Sequence, residues 1–306
     1  MDSSRDPSPG VDVVVVHFHS DPTLLARCFD SVARSAAGSG VVATLILVNN
    51  GGALPPESVP AGLRLVVVES PGNVGFGAAV NLGIAAATAE SVLVLNPDAA
   101  LEEPALGAFL AAGRRVPHAL LGGWMIRDGA VERDGYIDWD FSCERLVKRA
   151  RWSDALGVDG IRHVEKVSGG ALFAATAVLR RLGPFDEQFF MYCEDADLSR
   201  RARAAGHPLV AVGAARVEHA GSASEASFHP LVEAARADGA IRVTAAHRGR
   251  VVSILQRVEL TIVTCVGLLR PRLAPSARRA RRARLTAVRR WRFRATVPRM
   301  DPGAVT

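Results

Sequence analysis

The stretch VDVVVVHFHSDPTLLARCFDSVARSA, Val11 to Ala36, decides the fold. Its opening VDVVVVHF is dominated by valine, the pattern of a strand covered on both faces rather than one half-open to water. The chain then changes period. Ser20 or Asp21 can cap a helix, Pro22 suits a first helical turn, and the apolar residues that follow recur at helical spacing. A doubly buried strand that hands directly to a helix is the start of a βαβ unit.

The alternation continues downstream. ATLILVNN (43–50) and LRLVVVES (63–70) read as second and third strands, and PGNVGFGAAVNLGIAAAT (71–88) as a glycine-rich turn entering a small-residue helix. SVLVLNPDAALEEPAL (91–106) reads as a fourth strand ending on Asp98, with a helix opening near Glu102. Polar and aromatic residues from Arg127 to Lys166 suggest an irregular insertion over the sheet. VSGGALFAATAVLRRLGPFDEQFF (167–190) suggests a strand, a short helix and a Gly-Pro turn, and HPLVAVGAARVEHAG (207–221) a final strand pair ending at His219. The expected fold is therefore α/β, with a Rossmann-like, mostly parallel central sheet.

The 306 residues are 49% hydrophobic and 22% charged, which excludes wholesale disorder and allows a sizeable core. Thirty-seven basic residues against 31 acidic ones give a net charge of +6, carried almost wholly by arginine, since Lys148 and Lys166 are the only lysines. The four cysteines lie far apart with no CxxC pair, so neither a zinc knuckle nor a disulfide framework is indicated, and a reducing compartment is expected. MDSSRDPSPG (1–10) has no basic and apolar signal pattern and reads as a disordered leader.

Composition shifts after residue 227, so that 11–227 reads as one catalytic domain and 228–306 as a helical, arginine-rich extension. Twelve arginines and no acid fall between Arg270 and Arg299, after an apolar stretch at Val251 to Leu269. The run LTIVTCVGLL is too short to span a bilayer. Apolar and basic faces together suit a helix lying at an anionic membrane surface, the competing reading being a docking helix with a solvated basic tail. Few aromatics interleave with the arginines, so no nucleic-acid partner is expected.

In open α/β sheets ligands bind beyond the carboxyl ends of the strands. The residues there are His17 to Ser20, Asn49 to Gly52, Gly72 to Gly77, Asn96 to Asp98, and His219. One carboxylate and one imidazole, Asp98 and His219, suit Mn2+ or Mg2+ on a diphosphate. Taken singly, each also has an ordinary structural use, as a helix cap or a core histidine. GNVGFGAAVNLG invites a dinucleotide reading, but counting from Gly75 and Gly77 the third glycine position is Val80; Asn73 and Asn81 instead offer amides to a nucleotide. In FFMYCEDADLSRRARAAG (189–206), Glu194, Asp195 and Asp197 could either offset a helix dipole or form a reaction centre, and Asp197 and Arg201 are spaced for an ion pair.

VVVVHFHS, LVNNGG, NVGFGAAVNLGI, LVLNPDA, VSGGALFA, GPFDEQFFMYCEDADLSRRARAAGHP and ARVEHAGSAS together resemble the family 2 inverting glycosyltransferases of GT-A fold, over Val11 to Ser224. Within that family the chain is most similar to the rhamnosyltransferase-like branch that builds bacterial cell-wall and surface glycans. The resemblance implies a divalent metal held by Asp98 and His219, and Asp195 as catalytic base with Glu194, Asp197 and Arg201 in support. It implies a nucleotide-sugar site involving His19, Asn49, Asn73, Gly75, Phe76, Asn81 and Asn96. It also implies a nucleoside-diphosphate sugar donor, plausibly dTDP-L-rhamnose, and a lipid-linked or glycan acceptor, with the enzyme peripheral on the cytoplasmic face of the plasma membrane. Phe18-His19 and Asn49 depart from the Tyr-Asn and the acid common at those strand ends. The competing classes are an NAD(P)-binding oxidoreductase and a non-catalytic basic binder of membranes or nucleic acids.

Overall fold

A computed structural model describes residues 10–54, 59–157, 160–221 and 229–292, the side chain of His229 excepted. Residues 1–9 of the expected leader, Ser222 to Ser224 and the end of the arginine-rich tail lie outside these residues, while Gly10, the leader's last residue, belongs to the first strand. Strand β1 (Gly10–His17) runs into helix α1 (Pro22–Ser39), which Asp21 caps by accepting hydrogen bonds from the amides of Thr23 (2.8 Å) and Leu24 (3.0 Å). Pro22 sits in the first turn and Gly40, with φ 62°, ends the helix. Next come β2 (Val42–Asn49), β3 (Arg64–Glu69), α2 (Phe76–Ala86), β4 (Ser91–Leu95), β5 (Ala99–Leu101) and α3 (Ala105–Arg115). They are followed by β6 (Leu120–Arg127), β7 (Ala130–Val131), α4 (Ser142–Arg151), β8 (Ile161–His163) and β9 (Ala171–Ala175). The chain continues through α5 (Thr176–Leu182), α6 (Glu194–Ala204), β10 (Leu209–His219), α7 (His229–Leu268) and α8 (Pro275–Arg290).

The valines of β1 show why the strand is apolar throughout. Val11, Val13 and Val15 face Leu25, Cys28 and Phe29 of α1 and Leu106 and Phe109 of α3. Val14 and Val16 face Ala79 and Val80 of α2, Val178 of α5 and Leu198 of α6. Two helical layers thus sandwich one sheet, each using alternate side chains of the same strand.

The sheet runs β3-β2-β1-β4-β9-β6-β10-β5, with β7 on β6 and β8 on β10. Strands β3, β2, β1 and β4 are parallel; β9 is antiparallel to β4 and β6, β10 is parallel to β6, and β5 antiparallel to β10. The sheet was expected to be mostly parallel: its first half is parallel, and its second half is mixed. This geometry brings the ends of β1, β2, β4 and β10 and the start of β9 to one edge.

Three local expectations change. β4 stops at Leu95 rather than Asp98, the chain turns at Asn96 to Asp98, and α3 opens at Ala105 rather than near Glu102. The insertion from Arg127 to Lys166 is not irregular, since it holds α4 and the short strands β7 and β8. The final strand pair is one strand, β10, with a bulge between Val212 and Arg216 that takes up Gly213, Ala214 and Ala215.

The helical extension is folded onto the domain. α7 is broken at Gly249 (φ 83°, ψ 176°), so that Thr244 before the break and Gln256 beyond it both bond to Asp140, through its carboxylate and its carbonyl respectively. Val288 of α8 and Trp291 just after it cluster with Ala237 and Ile241 before the break and with Leu260 beyond it, so α8 nests on both halves.

Candidate active site

Register builds the centre of the site. Ala99 of β5 pairs with His219 of β10, which places the preceding Asp98 beside the imidazole. Asp98 Oδ2 lies 3.3 Å from His219 Nε2, and Glu132 Oε2 lies 3.1 Å from Nδ1. Arg127 bonds Glu132 at 2.7 Å. Burial works against a charged His219, but the facing carboxylates of Asp98 and Glu132 overcome it and push its pKa up to about 9. Asp98 Oδ2 is buried and makes no hydrogen bond of good geometry. A carboxylate oxygen left over beside an imidazole nitrogen fits a divalent cation with oxygen and nitrogen ligands. Among the described residues no three His, Cys, Asp or Glu side chains form a protein-only cage, so such a cation would take its other ligands from phosphate oxygens and water.

This pair opens into a cavity of about 820 Å3 along the strand ends. Of the residues expected at the site, His19, Asn73, Gly75, Phe76, Asn96, Asp98, Asp195 and His219 line it. Gly75 is required there: its φ is 91°, and a Cβ would stand 2.2 Å from the Phe190 carbonyl oxygen. That carbonyl accepts the Phe76 amide at 2.8 Å. The start of α2 is therefore covered by backbone, where a dinucleotide pyrophosphate would have to sit, which sets aside the NAD(P) reading.

Asp195 lies in the first turn of α6. Its Oδ1 accepts the Ala196 amide (2.7 Å), while Oδ2 faces the Gly169 amide (3.4 Å) and Lys166 Nζ (3.9 Å) at the cavity wall. Ahead of it, Tyr192 (φ 67°) and Cys193 (φ 70°) both adopt the left-handed conformation, a strain of the kind that positions functional side chains.

Other expected residues do not reach the cavity lining. Asn49 turns to Glu69 (2.9 Å) at the sheet end; its neighbour Asn50 lines the cavity instead, accepting the Val74 amide (3.0 Å) and donating to Asn73 (3.1 Å). Asn81 is spent on the backbone of Phe185, donating to its carbonyl and accepting its amide. Asp197 is buried between Arg201 (2.7 Å) and His247 (2.7 Å) of α7. Burial opposes its charge, but the bonds from His247 and Arg201 hold its carboxyl below the usual range. Arg201 also donates to the carbonyls of Leu182, Gly183 and Pro184, so this pair ties α6 to α7 and to the Gly-Pro turn.

Glu194 is buried behind Asp195, and its Oε2 has no hydrogen-bond partner. Burial, then repulsion from Asp195, pushes its pKa up to about 8. A carboxyl with a raised folded-state pKa binds its proton more tightly folded than unfolded, so stability is fullest below the ordinary glutamate range and falls as pH rises toward 8. Glu194→Gln is expected to flatten that fall. Denaturant midpoints at pH 6 and pH 9 should differ less in the variant than in the parent; an equal difference would contradict the assignment.

Sequence reasoning named Asn49 rather than Asn50 from the strand end Asn49 to Gly52, and missed Glu132, Arg127 and Lys166 as wall residues. Asn50 stood in the quoted LVNNGG, and Lys166 directly precedes VSGG.

Residues 12–157 match the model of glycosyl transferase family 2. The match covers just under half of the chain and marks that stretch as similar to the family. A curated relative, the N-acetylglucosaminyl-diphospho-decaprenol L-rhamnosyltransferase of Mycobacterium tuberculosis, is 29% identical over 202 residues, covering 58% of this chain and 66% of the relative. The chain thus spans just under two thirds of that relative's length. Among solved structures, the mannosyltransferase PcManGT from Pyrobaculum calidifontis, in complex with GDP-Man and Mn2+, has a TM-score of 0.51 at 14% identity, covering 92% of this chain and 70% of that one. GalNAc-T7 with UDP, GalNAc and Mn2+ gives 0.52 at 16% identity, covering 70% and 43%. These likenesses show the fold: the chain has the GT-A architecture, followed by a helical basic extension.

Proposed function

We propose that the chain is an inverting glycosyltransferase that moves a sugar from a nucleoside-diphosphate donor to a lipid-linked or glycan acceptor in bacterial cell-wall or surface-glycan assembly. The observation that carries this reading is that the Asp98–His219 pair and the Asp195 carboxylate face the same cavity. Residues 11–227 form the catalytic domain, and 228–306 the extension that places it on the cytoplasmic face of the plasma membrane. L-rhamnose from dTDP-L-rhamnose is the donor we propose, supported by the name of the mycobacterial relative.

Asn50 and Asn73 brace the glycine turn, so that Gly75, Phe76 and His19 form the wall against which the nucleoside rests. Asp98 and His219 would hold Mn2+ or Mg2+ on the diphosphate, the imidazole binding it in its neutral form. That cation, when bound, supplies charge neutralisation for the leaving diphosphate. Asp195 accepts the proton of the acceptor hydroxyl as it attacks the anomeric carbon from the face opposite the diphosphate, so the configuration inverts in one displacement. Lys166 adds positive charge beside this carboxylate.

The test is transfer from dTDP-L-rhamnose to a polyprenyl-diphosphate-linked N-acetylglucosamine, with the anomeric configuration of the product read by NMR. Inversion is expected. Retention of configuration, or hydrolysis of the donor with no transfer product from any lipid-linked or glycan acceptor, would contradict it.

A further inference from the structure

The second half of α7 is inside out. Val251, Leu255, Val258, Ile262, Val266 and Leu269, which directly follows it, are 51% to 81% exposed. At 3.6 residues per turn they fall within an arc of about 80°. On the opposite face Ser253, Gln256 and Thr264 are at most 2% exposed. A helix in a water-soluble surface layer shows the reverse, its aliphatic stripe turned inward. Here the polar side bonds internally, as Gln256 Nε2 donates to the Asp140 carbonyl (2.7 Å) and the Thr264 hydroxyl to that of Leu260 (2.6 Å).

Basic residues accompany this stripe. Arg270 and Arg272 in the turn and Arg278, Arg279, Arg282, Arg289 and Arg290 of α8 are exposed, and no acid follows Glu259 in the described residues. Two copies meeting through this surface would bring these arginines together. An anionic surface with an apolar layer beneath it complements both features.

By length and composition alone, Pro230–Leu268 could cross a membrane. Its break at Gly249 and the packing of α8 argue against spanning: Arg281 bonds the Gly267 carbonyl and Arg257 the Val288 carbonyl, so a spanning helix would carry these guanidiniums into hydrocarbon. The surface also connects to the cavity. Glu259 accepts the Ser142 amide at the start of α4 (2.8 Å), and α4 exposes Leu146 and Val147 while its Arg149 lines the cavity.

We infer that the outer face of α7 beyond Gly249, extended by Leu146 and Val147 of α4, inserts in plane into an anionic bilayer interface and holds the cavity mouth at the level from which a lipid-linked acceptor enters. The last clause rests on the glycosyltransferase reading; the docking itself does not.

The full chain is tested by co-sedimentation with vesicles of phosphatidylglycerol and phosphatidylcholine, without donor. The double variant Val258→Asp, Ile262→Asp is expected to reduce the bound fraction about tenfold, with an unchanged melting temperature and unchanged donor binding. A second variant, Ile262→Trp, should gain fluorescence that brominated-acyl lipids quench. Undiminished binding of the double variant, or no quenching at Trp introduced there, would overturn insertion in favour of adsorption through arginine alone. A wild-type dimer in solution that the double variant converts to monomer would overturn it in favour of a second copy on this face. Because donor titration is a separate readout, failure here and failure of the glycosyltransferase reading are distinguishable.

Discussion

Asp195→Asn is expected to lower turnover by about a thousandfold while leaving donor affinity within about twofold, the scale of losing a general base without losing its shape. The asparagine can still accept the Ala196 amide through its oxygen, as Oδ1 does now at 2.7 Å, so the first turn of α6 keeps its geometry. What disappears is the second oxygen at the cavity wall, next to Gly169 and Lys166, as a proton acceptor. Turnover under saturating donor and acceptor, set beside a calorimetric dissociation constant for the donor, separates the two effects. Turnover close to the parent's would remove Asp195 from the mechanism. A parallel loss of donor affinity would show that the carboxylate acts in binding.

The largest stability effect is expected at Arg200, behind the site. Its Nε and Nη2 reach both oxygens of Asp138 (2.8 to 3.2 Å) and its Nη2 reaches Asp140 (3.0 Å), with all three residues buried. Burial opposes the charge of Asp138, but the bond and charge of Arg200 hold its carboxyl below the usual range. Arg200→Ala leaves two buried carboxylates short of their main partner, and a destabilisation of about 3 kcal/mol or more is expected from denaturant midpoints. Arg203 still reaches Asp138 at 2.7 Å, and Arg248 lies 3.5 Å from Asp140, which limits the loss. Because Asp140 also receives Thr244 of α7, the variant should loosen the helical extension as well as α6. A change below about 1 kcal/mol, the range of an exposed pair, would mean that the network contributes little net stability.

The layered α/β core was legible because local pattern and tertiary role coincide. The valines of β1 are apolar on both faces and the structure covers both faces; Asp21 and Pro22 start a helix where their chemistry suits one. The insertion was less legible for a definite reason. α4 has no buried residue, and its contacts are charge pairs with distant partners: Arg145 and Arg149 with Asp134, and Lys148 with Glu165. Its apolar residues, Cys143, Leu146, Val147 and Ala150, do recur at helical spacing, but over only ten residues, inside a polar and aromatic run, and on a face that packs into no core.

Within the site, chemistry identified residue types better than it identified neighbours. Asp98 and His219 were paired from their positions at strand ends, and the β5–β10 register supplies the contact. Asn49 and Asn50 are adjacent on one strand end and point differently, a choice set by the turn that follows rather than by composition. Asn81 offered the right amide, but the Phe185 backbone uses both of its ends. For Asp197 the structural use, pairing with Arg201 and His247, accounts for the carboxylate fully.

The most direct measurement is calorimetric titration of the full chain with UDP-, GDP- and dTDP-sugars and with NAD(H), each with and without Mn2+, in the parent and in Asp98→Ala. The account predicts that one sugar nucleotide binds, that Mn2+ strengthens its binding, and that the strengthening disappears in Asp98→Ala. Binding that ignores both Mn2+ and Asp98, or binding of NAD(H) alone, would contradict it.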